Sequence, residues 1–338
     1  MTLAIHGACK TTRMFPFQVV HCDETQAARA LDDERLLALI RFREPAAPPQ
    51  DPRSGVIPLP ELGGSSTAEV WLSARPVRVG VTHGVSHAGN DAVLFLQCHL
   101  DEDTPDALQP LTAMAYRRLF AAARALGYPY LLRVWNYFPA INRECGGLER
   151  YRAFCAGRHQ ALVAELTEFE THLPAACAIG TDEPGLRLYA LASRTAGIQI
   201  ENPRQTSAFH YPRQYGPRSP SFSRAVLKAW GERHHHLYIS GTASIVGHAS
   251  QHVDLMAQLD ETLLNLRALL AQANRLTPEP LRPALLKVYC QPNFDLTALR
   301  RRIAQALDAD PPTLFLQADI CRRELLIEIE GLAMGSAP

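Results

Sequence analysis

The sequence lacks an excess of charge of either sign. Its 338 residues contain 34 lysines and arginines and 34 aspartates and glutamates. A protein that binds nucleic acid through phosphates needs a basic excess on some surface, and none dominates here. The most basic segment, residues 213–224, interleaves arginines with Pro, Tyr and Ser, which suits a pocket for a small anion. We therefore expect a small-molecule partner and no nucleic acid.

Long hydrophobic runs are also absent. No apolar stretch approaches the roughly 18 residues of a membrane-spanning helix. Lys10 and Arg13 are not followed by the apolar stretch of a signal peptide, so we expect none. The eight cysteines include no CxxC pair, which favours reduced thiols over a disulfide framework. These patterns predict a cytoplasmic protein without membrane contact.

Cofactor motifs are missing as well. There is no P-loop and no GxGxxG after a strand, so the sequence predicts no nucleotide cofactor. Nor is there the GxSxG elbow of a serine hydrolase. Three consecutive histidines, 234–236, enter a predicted strand on alternating faces and cannot bind one ion together. His248 and His252 would share a helix face, but the glycine and serine around them favour a loop. We expect neither a metal nor a cofactor.

What the sequence does contain is an order of elements that occurs twice. Apolar periodicity predicts strands at 92–100, 130–138, 186–192, 236–247, 285–290, 313–321 and 325–333, and helices at 111–126, 148–170, 255–273 and 296–307. The repeated β-β-α-β-α-β-β order, which begins near Val70, indicates an internal duplication. We predict an α+β fold of two lobes, each a mixed β-sheet with helices packed on one face. A cleft between two lobes is a favoured ligand site.

The division between the predicted lobes lies near residue 200. Residues 1–200 are assigned to the N-terminal lobe and residues 201–338 to the C-terminal lobe. Residues 45–65 are rich in Pro and Gly, which predicts a surface excursion within the N-terminal lobe.

Five stretches of the C-terminal half resemble the Rid (YjgF-like) family. They are PSFSRAV (220–226), YISGTASIVG (238–247), ETLLNLRALL (261–270), LLKVYC (285–290) and LIEIEGLA (326–333). Three more segments are similar to the chorismatase family, in which two Rid-like lobes are fused: RVWNYFPAIN (133–142), YRAFCAGRHQAL (151–162) and ENPRQTSAFHYPRQYGPRSPSFSRA (201–225). The resemblance covers roughly residues 65–335. It implies two Rid-like (chorismate-mutase-like) lobes and a monomer or weak oligomer, because fused lobes partly replace a Rid trimer.

The resemblance implies an enzyme that cleaves the enolpyruvyl ether of chorismate, a lyase releasing pyruvate. We expect 3-hydroxybenzoate as the second product, alone or with 4-hydroxybenzoate. Three alternatives stay open: a hydrolytic chorismatase that forms 3,4-dihydroxycyclohexa-1,5-diene carboxylate, a Rid-type enamine or imine deaminase, and a non-catalytic ligand-binding protein. By resemblance alone, the hydroxybenzoate would serve pigment, ubiquinone or secondary-metabolite biosynthesis.

The reaction needs an acid, because vinyl ether cleavage begins with protonation of the methylene carbon. A glutamic acid in a partly desolvated site stays protonated near neutral pH, since burial disfavours the charged form. The strand LLIEIEGLA places Glu328 and Glu330 on one face, opposite Ile327 and Ile329. Glutamates on such a strand usually face water, but the resemblance aligns Glu328 with the family's acidic position. We predict Glu328 as the acid and Glu330 as its rival.

Two further residues are predicted to influence the product. Cys321 would lie near Glu328 if the strands on either side of the turn at 322–324 pair with each other. The alternative interpretation of Cys321 is a small core residue, as for most free cysteines. The resemblance implies that a cysteine here assists the hydroxybenzoate-forming branch, by helping an arene-oxide-like intermediate to open or by proton transfer. By resemblance, Ala243 is predicted as a further substrate-binding residue, and the resemblance implies that a small residue at this position also helps to set the branch, with Ala favouring the hydrolytic one.

Chorismate carries two carboxylates, which bidentate arginines bind well. By resemblance we predict the substrate-binding residues Arg158, Tyr211, Arg213, Tyr215, Arg218, Tyr137 and Asn142. The two tyrosines of segment 211–215 would donate hydrogen bonds beside the arginines, and Tyr137 and Asn142 would close over the substrate. For each arginine the alternative is a solvated or interlobe salt-bridging residue. Trp135 is predicted as core, because an indole in a strand buries a large area.

Overall fold

A four-stranded sheet forms the N-terminal part of the structure, a computed structural model that describes residues 15–42, 51–64 and 68–336. Its elements are β1 (Phe17–Cys22), α1 (Glu24–Ala30), β2 (Leu36–Phe42), β3 (Ser54–Ile57) and β4 (Ala68–Ser73), with strand order β1-β4-β2-β3. Asp23 and Gln26 form a capping box at the start of α1, since each side chain accepts the other's backbone N–H. Only the part from Val70 onward was predicted as β structure.

The Pro-rich segment predicted as a surface excursion is partly buried. Strand β3 pairs in parallel with β2, and Ile57 is 3% exposed. The Leu62 N–H donates to the Phe315 carbonyl at 2.8 Å, which ties the segment to the C-terminal half. The prediction of a surface excursion is therefore wrong for residues 54–62, because their backbone bridges two sheets. Residues 45–50 and 65 lie outside the described residues.

The middle of the chain forms a larger mixed sheet with two helices on one face. In chain order its elements are β5 (Arg78–Thr82), β6 (Val85–Gly89), β7 (Val93–Leu100), α2 (Leu108–Ala125), β8 (Tyr130–Pro139), the hairpin strands β9 (Glu144–Cys145) and β10 (Leu148–Glu149), α3 (Arg150–Glu165), β11 (Ala175–Thr181) and β12 (Leu186–Ser193). Phe138 of the sheet stacks on Phe154 of α3, with ring centres 4.8 Å apart. Strand β11 was not predicted, because its small residues are buried throughout and show no alternation.

The C-terminal part repeats the arrangement of one sheet with two helices. Its elements are β13 (Ile198–Ile200), β14 (Ala225–Ala229), β15 (His234–Ala243), β16 (Ile245–Val246), β17 (Ala249–Ser250), α4 (Leu255–Asn274), β18 (Arg282–Cys290), α5 (Leu296–Leu307), β19 (Thr313–Gln317), β20 (Asp319–Ile320) and β21 (Ile327–Ser336). Asp254 and Asp295 cap α4 and α5, because their side chains accept backbone N–H groups of the first turn. No helix in the described ranges is long and apolar enough to cross a membrane.

Strand pairing connects the two halves of the chain. The seven-stranded sheet has the order β20-β11-β8-β12-β7-β6-β5, and the six-stranded sheet has the order β13-β14-β15-β21-β18-β19. Strand β13, which ends at Ile200, thus belongs to the C-terminal sheet, and β20 belongs to the middle sheet. The stretch 313–321, predicted as one strand, is two strands, and neither pairs with β21. The predicted pairing across the turn at 322–324 is wrong, because the chain leaves β18 after Gln317 to join β11.

All three sheets contribute to one buried core. It includes Phe42 and Trp71 of the N-terminal sheet, Trp135 and Tyr189 of the middle sheet, and Tyr289 of the C-terminal sheet. The Trp135 and Tyr189 rings stack with centres 4.5 Å apart. Trp135 is 6% exposed, so it is a core residue as predicted. This shared core fixes the two larger sheets relative to each other and so fixes the cleft between them.

Candidate active site

A cleft of about 1150 Å³ lies between the two larger sheets. Its walls come from the connection between β8 and α3, the segment 211–224, strand β15 and the chain from Asp319 to Glu328. The predicted site residues that line it are Asn142, Tyr211, Tyr215, Ala243, Cys321 and Glu328. The structure therefore brings together residues that are up to 186 positions apart in the sequence (328 minus 142).

Glu328 lies on β21, in the centre of the C-terminal sheet, and faces the cleft. Its strand neighbours in register are Ala243 of β15 and Tyr289 of β18. The side chain is only 4% exposed, and a Cβ at Gly241 would collide with its carboxyl. Burial, reinforced by the charge of Glu330, raises the pKa of Glu328 from 4.5 to about 8. The site thus contains a carboxylic acid that is protonated at neutral pH.

Glu330, the predicted rival, has a different environment and does not line the cleft. Its carboxyl accepts hydrogen bonds from Trp135 Nε1 at 2.9 Å, the Tyr289 hydroxyl at 2.9 Å and Lys287 Nζ at 3.0 Å, and it pairs with Arg133. Burial alone would raise the pKa of Glu330, but the charges of Lys287 and Arg133 hold it below its usual value. Glu330 is therefore a charged, fully engaged carboxylate without access to a ligand in the cleft.

Cys321 and Ala243 meet at one wall of the cleft. Ala243, Ile245, Ile320 and Leu325 form a small apolar cluster against which Cys321 packs. Burial, and the nearby Glu328 carboxyl, raise the pKa of the Cys321 thiol above its usual value. The thiol is therefore a neutral hydrogen-bond donor at physiological pH rather than a thiolate nucleophile.

Two predicted arginines lie outside the cleft. Arg213, in a short turn of 3₁₀ helix, and Arg218 are both exposed and do not line it. We correct the prediction, because within residues 211–218 the residues that line the cleft are Tyr211, Gln214 and Tyr215.

Arg158 is buried beside the cleft wall rather than in the cleft. It is 1% exposed, and its guanidinium carbon lies 4.9 Å from the centre of the Phe154 ring and 5.7 Å from that of Phe222. Phe222 lines the cleft, whereas Arg158 does not. Its Nε and one terminal nitrogen have no hydrogen-bond partner among the described residues. The contact of Arg158 with the substrate stays a prediction, since Arg158 lies beside Phe222 of the cleft wall without lining the cleft itself.

The arginines that face the cleft beside the aromatic wall were missed by the sequence analysis. Arg224 donates to the Tyr211 hydroxyl at 2.7 Å and to the Thr206 carbonyl at 2.8 Å. Arg322 stacks on Tyr215, with its guanidinium carbon 4.2 Å from the ring centre, and also lies 5.5 Å from the Tyr211 ring. The sequence did offer a signal for both arginines, since Arg224 is in the Rid-like stretch PSFSRAV and Arg322 directly follows the predicted site residue Cys321.

Tyr137 and Asn142, the residues predicted to close over a substrate, occupy different places. Tyr137 is fully buried, and its hydroxyl lies 3.3 Å from that of Tyr189 and 3.2 Å from that of Tyr289. It is a core residue, and its prediction as a substrate contact is corrected. Asn142 lines the cleft and donates to the Ile320 carbonyl at 2.9 Å, which links the two sides of the opening.

The histidines that suggested a metal in the sequence do not converge. His248 lies 3.1 Å from the Tyr215 hydroxyl, and His252 has a positive φ of 63° that is incompatible with a helix. Across the ranges that the structure describes, no three His, Cys, Asp or Glu side chains are arranged to hold a metal ion.

Comparison with known proteins identifies the family. The chain is 35% identical over 279 residues to a 3-hydroxybenzoate synthase of Streptomyces hygroscopicus, covering 79% of this chain and 81% of that protein. It is 39% identical over 273 residues to a chorismatase of the same organism, covering 78% of each. The chain belongs to the chorismatase family. The family's sequence pattern described as "Chorismatase FkbO/Hyg5-like, N-terminal" matches residues 69–192.

A solved chorismatase structure is similar over nearly the whole chain. The match has a TM-score of 0.79 at 32% identity and covers 94% of this chain and 98% of that one. The α+β fold with two Rid-like lobes predicted from the sequence is confirmed, as is the resemblance to chorismatases.

Proposed function

We propose that this chorismatase cleaves the enolpyruvyl ether of chorismate and releases pyruvate and 3-hydroxybenzoate, alone or with 4-hydroxybenzoate. The observation that carries the proposal is the buried, protonated Glu328 facing a cleft whose walls carry Arg224 and Arg322. Chorismate is a dianion with an acid-labile vinyl ether, so a site for it combines cations at its edge with a neutral acid inside. The two Streptomyces relatives, a 3-hydroxybenzoate synthase and a chorismatase, support the same proposal.

Glu328 is the proton donor in this proposal. Its carboxyl protonates the methylene carbon of the vinyl ether, and positive charge develops on the ether carbon. A carboxyl with a pKa of about 8 is protonated at neutral pH and close to the operating pH, as general acid catalysis requires. The ionised Glu328 left behind is repelled by Glu330, which favours prompt recovery of a proton.

The ring hydroxyl next to the ether completes the reaction without water. Its oxygen attacks the ring carbon that carries the ether, the carbon–oxygen bond to the leaving group breaks, and pyruvate departs. The hydroxyl proton returns to Glu328, so the acid is regenerated. The arene-oxide-like ring then opens to a phenol. In this proposal the neutral Cys321 thiol, which lines the cleft, assists the opening by donating a proton that it regains on aromatisation.

Arg224 and Arg322 are assigned to the carboxylates. Tyr211 lies between them, with its ring centre 5.5 Å from each guanidinium carbon. The Nε of Arg224 is buried and has no hydrogen-bond partner among the described residues, so it is available to a ligand oxygen. Cations fixed by aromatic stacking bind a planar carboxylate with little further loss of conformational freedom.

Hydrolysis to the dihydroxycyclohexadiene carboxylate is the second candidate. It is favoured by one observation, the small Ala243 directly opposite Glu328 in register. In that route a water molecule, rather than the ring hydroxyl, supplies the attacking oxygen, and the ring remains a diene. The two routes release the same pyruvate and differ only in the ring product.

Incubation with chorismate tests the proposal. Pyruvate is followed with a coupled lactate dehydrogenase assay, and the ring product is identified by chromatography against the three standards. We expect stoichiometric pyruvate and hydroxybenzoate. Absence of pyruvate with folded protein would overturn the proposal and favour a Rid-type deaminase, tested with an enamine substrate, or a ligand-binding protein. A diene product would show that the protein still cleaves chorismate but follows the hydrolytic route instead of the hydroxybenzoate-forming one.

A further inference from the structure

Four charged side chains are buried together between the sheets, outside the cleft. Glu69 of β4, Arg133 of β8, Lys287 of β18 and Glu330 of β21 are each no more than 2% exposed. Lys287 Nζ lies 3.0 Å from Glu330 Oε1 and 3.4 Å from Glu69 Oε2, and Arg133 pairs with the other oxygen of Glu330. We call these four residues the buried charge cluster. No step of the proposed reaction uses them directly.

Stability alone does not explain the buried charge cluster. Moving ions out of water costs more free energy than their attraction usually returns, and apolar residues often replace such groups without loss. Glu330 nevertheless accepts bonds from Trp135 and Tyr289 at 2.9 Å, in addition to its two cations. A carboxylate with this many donors stays charged over the physiological pH range. The cluster therefore maintains a fixed negative charge at one position.

Glu328 lies next to that fixed charge. The two glutamates are two residues apart on the same face of β21, which corresponds to about 6.6 Å along a strand. In the described part of the chain, no hydrogen bond or ion pair reaches the Glu328 carboxyl. One carboxyl is thus charged and engaged by four donors, while its neighbour is buried without a cation of its own.

We propose that Glu330 is a positioning residue whose fixed negative charge keeps Glu328 in the protonated form that attacks the vinyl ether. Lys287 and Arg133 act through Glu330, because they hold it as a carboxylate. Like-charge repulsion then opposes ionisation of Glu328, in addition to the effect of burial. The inference rests on the proposed function, since it presupposes that Glu328 is the acid.

The other titratable and charged groups around Glu328 do not supply this negative charge. They are Arg133 on β8, Cys177 on β11, Tyr289 on β18, Cys321 and Arg322 in the turn before β21, and Tyr211 and Arg224 across the cleft. The other carboxylates of the cleft, Glu144, Glu149, Asp319 and Glu324, are exposed or half-buried, so water screens them, and Glu330 is the carboxylate whose charge raises the pKa of Glu328. Burial raises the pKa of Cys177, Tyr289 and Cys321, so all three are neutral. The arginines favour ionisation of Glu328 rather than opposing it. Strand β15 presents only Gly241 and Ala243.

Two substitutions test the inference. Glu330→Gln removes the negative charge, so Glu328 should lose its proton at lower pH. Lys287→Met removes a cation that holds Glu330 as a carboxylate, so the repulsion weakens and Glu328 should again lose its proton at lower pH, although Arg133 still pairs with Glu330. The alkaline limb of the profile of kcat against pH should move down by roughly one to two pH units in Glu330→Gln and by a smaller amount in Lys287→Met. Glu330→Asp retains the charge and should restore most of the wild-type profile.

Glu69→Gln is the matched control. It disturbs the same buried charge cluster on the far side of Lys287, and its limb should move by less than half as much as that of Glu330→Gln. Circular dichroism and thermal unfolding verify that each variant is folded. An unshifted limb in folded Glu330→Gln, an upward shift in folded Lys287→Met, or a shift in the control equal to that of Glu330→Gln would overturn the inference.

A measurement without substrate separates this inference from the proposed function. The carbonyl stretch of the protonated Glu328 carboxyl can be followed by infrared difference spectroscopy, and it is assigned by its loss in Glu328→Gln. The band should disappear at lower pH in Glu330→Gln than in wild type. Failure of the wild type to release pyruvate would overturn the proposed function alone, whereas an unshifted infrared titration would overturn the role of Glu330.

Discussion

The Glu328 carboxyl occupies the space that a side chain at Gly241 would fill. Cys177 also borders that space, since its Cβ is 3.3 Å from the position of a Cβ at residue 241. Strand β15 therefore admits the acid only because residue 241 has no side chain. The glycine of the Rid-like motif SGTAS is thus required to make room for Glu328 on β21, rather than for the conformation of its own strand β15.

Gly241→Ala should lower turnover by at least about tenfold, because the added methyl group must displace the Glu328 carboxyl from its place in the cleft. Steady-state kinetics with chorismate measure the effect. Gly80→Ala is the control, since Gly80 lies on the remote strand β5 and a Cβ there would meet only the end of the His87 ring at 3.1 Å. Wild-type turnover in Gly241→Ala would show that the carboxyl position is not critical.

The pH dependence of activity should follow the acid form of Glu328. Its pKa is raised to about 8, so the active protonated form predominates below that pH and is lost above it. We expect kcat to fall tenfold per pH unit on the alkaline side. Glu328→Gln should lose at least about 100-fold in kcat, while Glu324→Gln, at the same cleft, should stay within a few-fold. A loss in both variants would indicate a general effect of charge in the cleft.

Stability should depend on pH through the same residue. A carboxyl whose pKa rises from 4.5 to about 8 on folding stabilises the protein at low pH, and this contribution is lost as the pH rises through that interval. Relative to wild type, Glu328→Gln should therefore become more stable between pH 5 and pH 8, by about 1–3 kcal/mol. Urea unfolding at several pH values measures the difference. A constant difference would show that Glu328 is ionised in the folded protein.

Local patterns in the sequence predicted much of the C-terminal lobe and its acid. Helix α5 was predicted with its observed bounds from its apolar periodicity, and the structure shows that Asp295 caps it. The alternation of β21 correctly placed Glu328 and Glu330 on one face. Periodicity could not distinguish the two, since what separates them is contact with residues far away in sequence, such as Arg133, almost 200 positions upstream.

The arginines show the limit of sequence reasoning most clearly. Arg213 and Arg218 have the composition expected of an anion site, but the turn at 213–215 directs them to solvent. Arg224 reaches the cleft because it precedes the buried strand β14 and is held by the Tyr211 hydroxyl. Side-chain direction in an irregular segment depends on tertiary packing, which residue spacing does not encode. The β20–β11 pairing that brings Cys321 to the cleft is equally non-local.

This correction gives a direct test of substrate binding. Arg224→Gln should raise KM for chorismate by about tenfold or more, the effect of losing one charged hydrogen bond to a carboxylate. Arg213→Gln, which changes an exposed arginine of the same segment, is the control and should alter KM less than twofold. Steady-state kinetics on both variants measure the two KM values. A larger increase in KM for Arg213→Gln than for Arg224→Gln would instead assign the anion site to the exposed face of segment 211–224.

Cys321→Ala tests the product branch. The thiol lies against the apolar cluster that contains Ala243, so its removal leaves the acid and the arginines in place while removing the neutral donor beside the ring. We expect pyruvate release to persist while the ring product shifts from hydroxybenzoate toward the dihydroxycyclohexadiene carboxylate, measured by chromatography. Cys98→Ala, at a buried thiol of β7 away from the cleft, is the control and should leave the product ratio unchanged. An unchanged ratio in Cys321→Ala would assign Cys321 to packing alone, and the branch would then depend on Ala243 and on how far water enters the cleft.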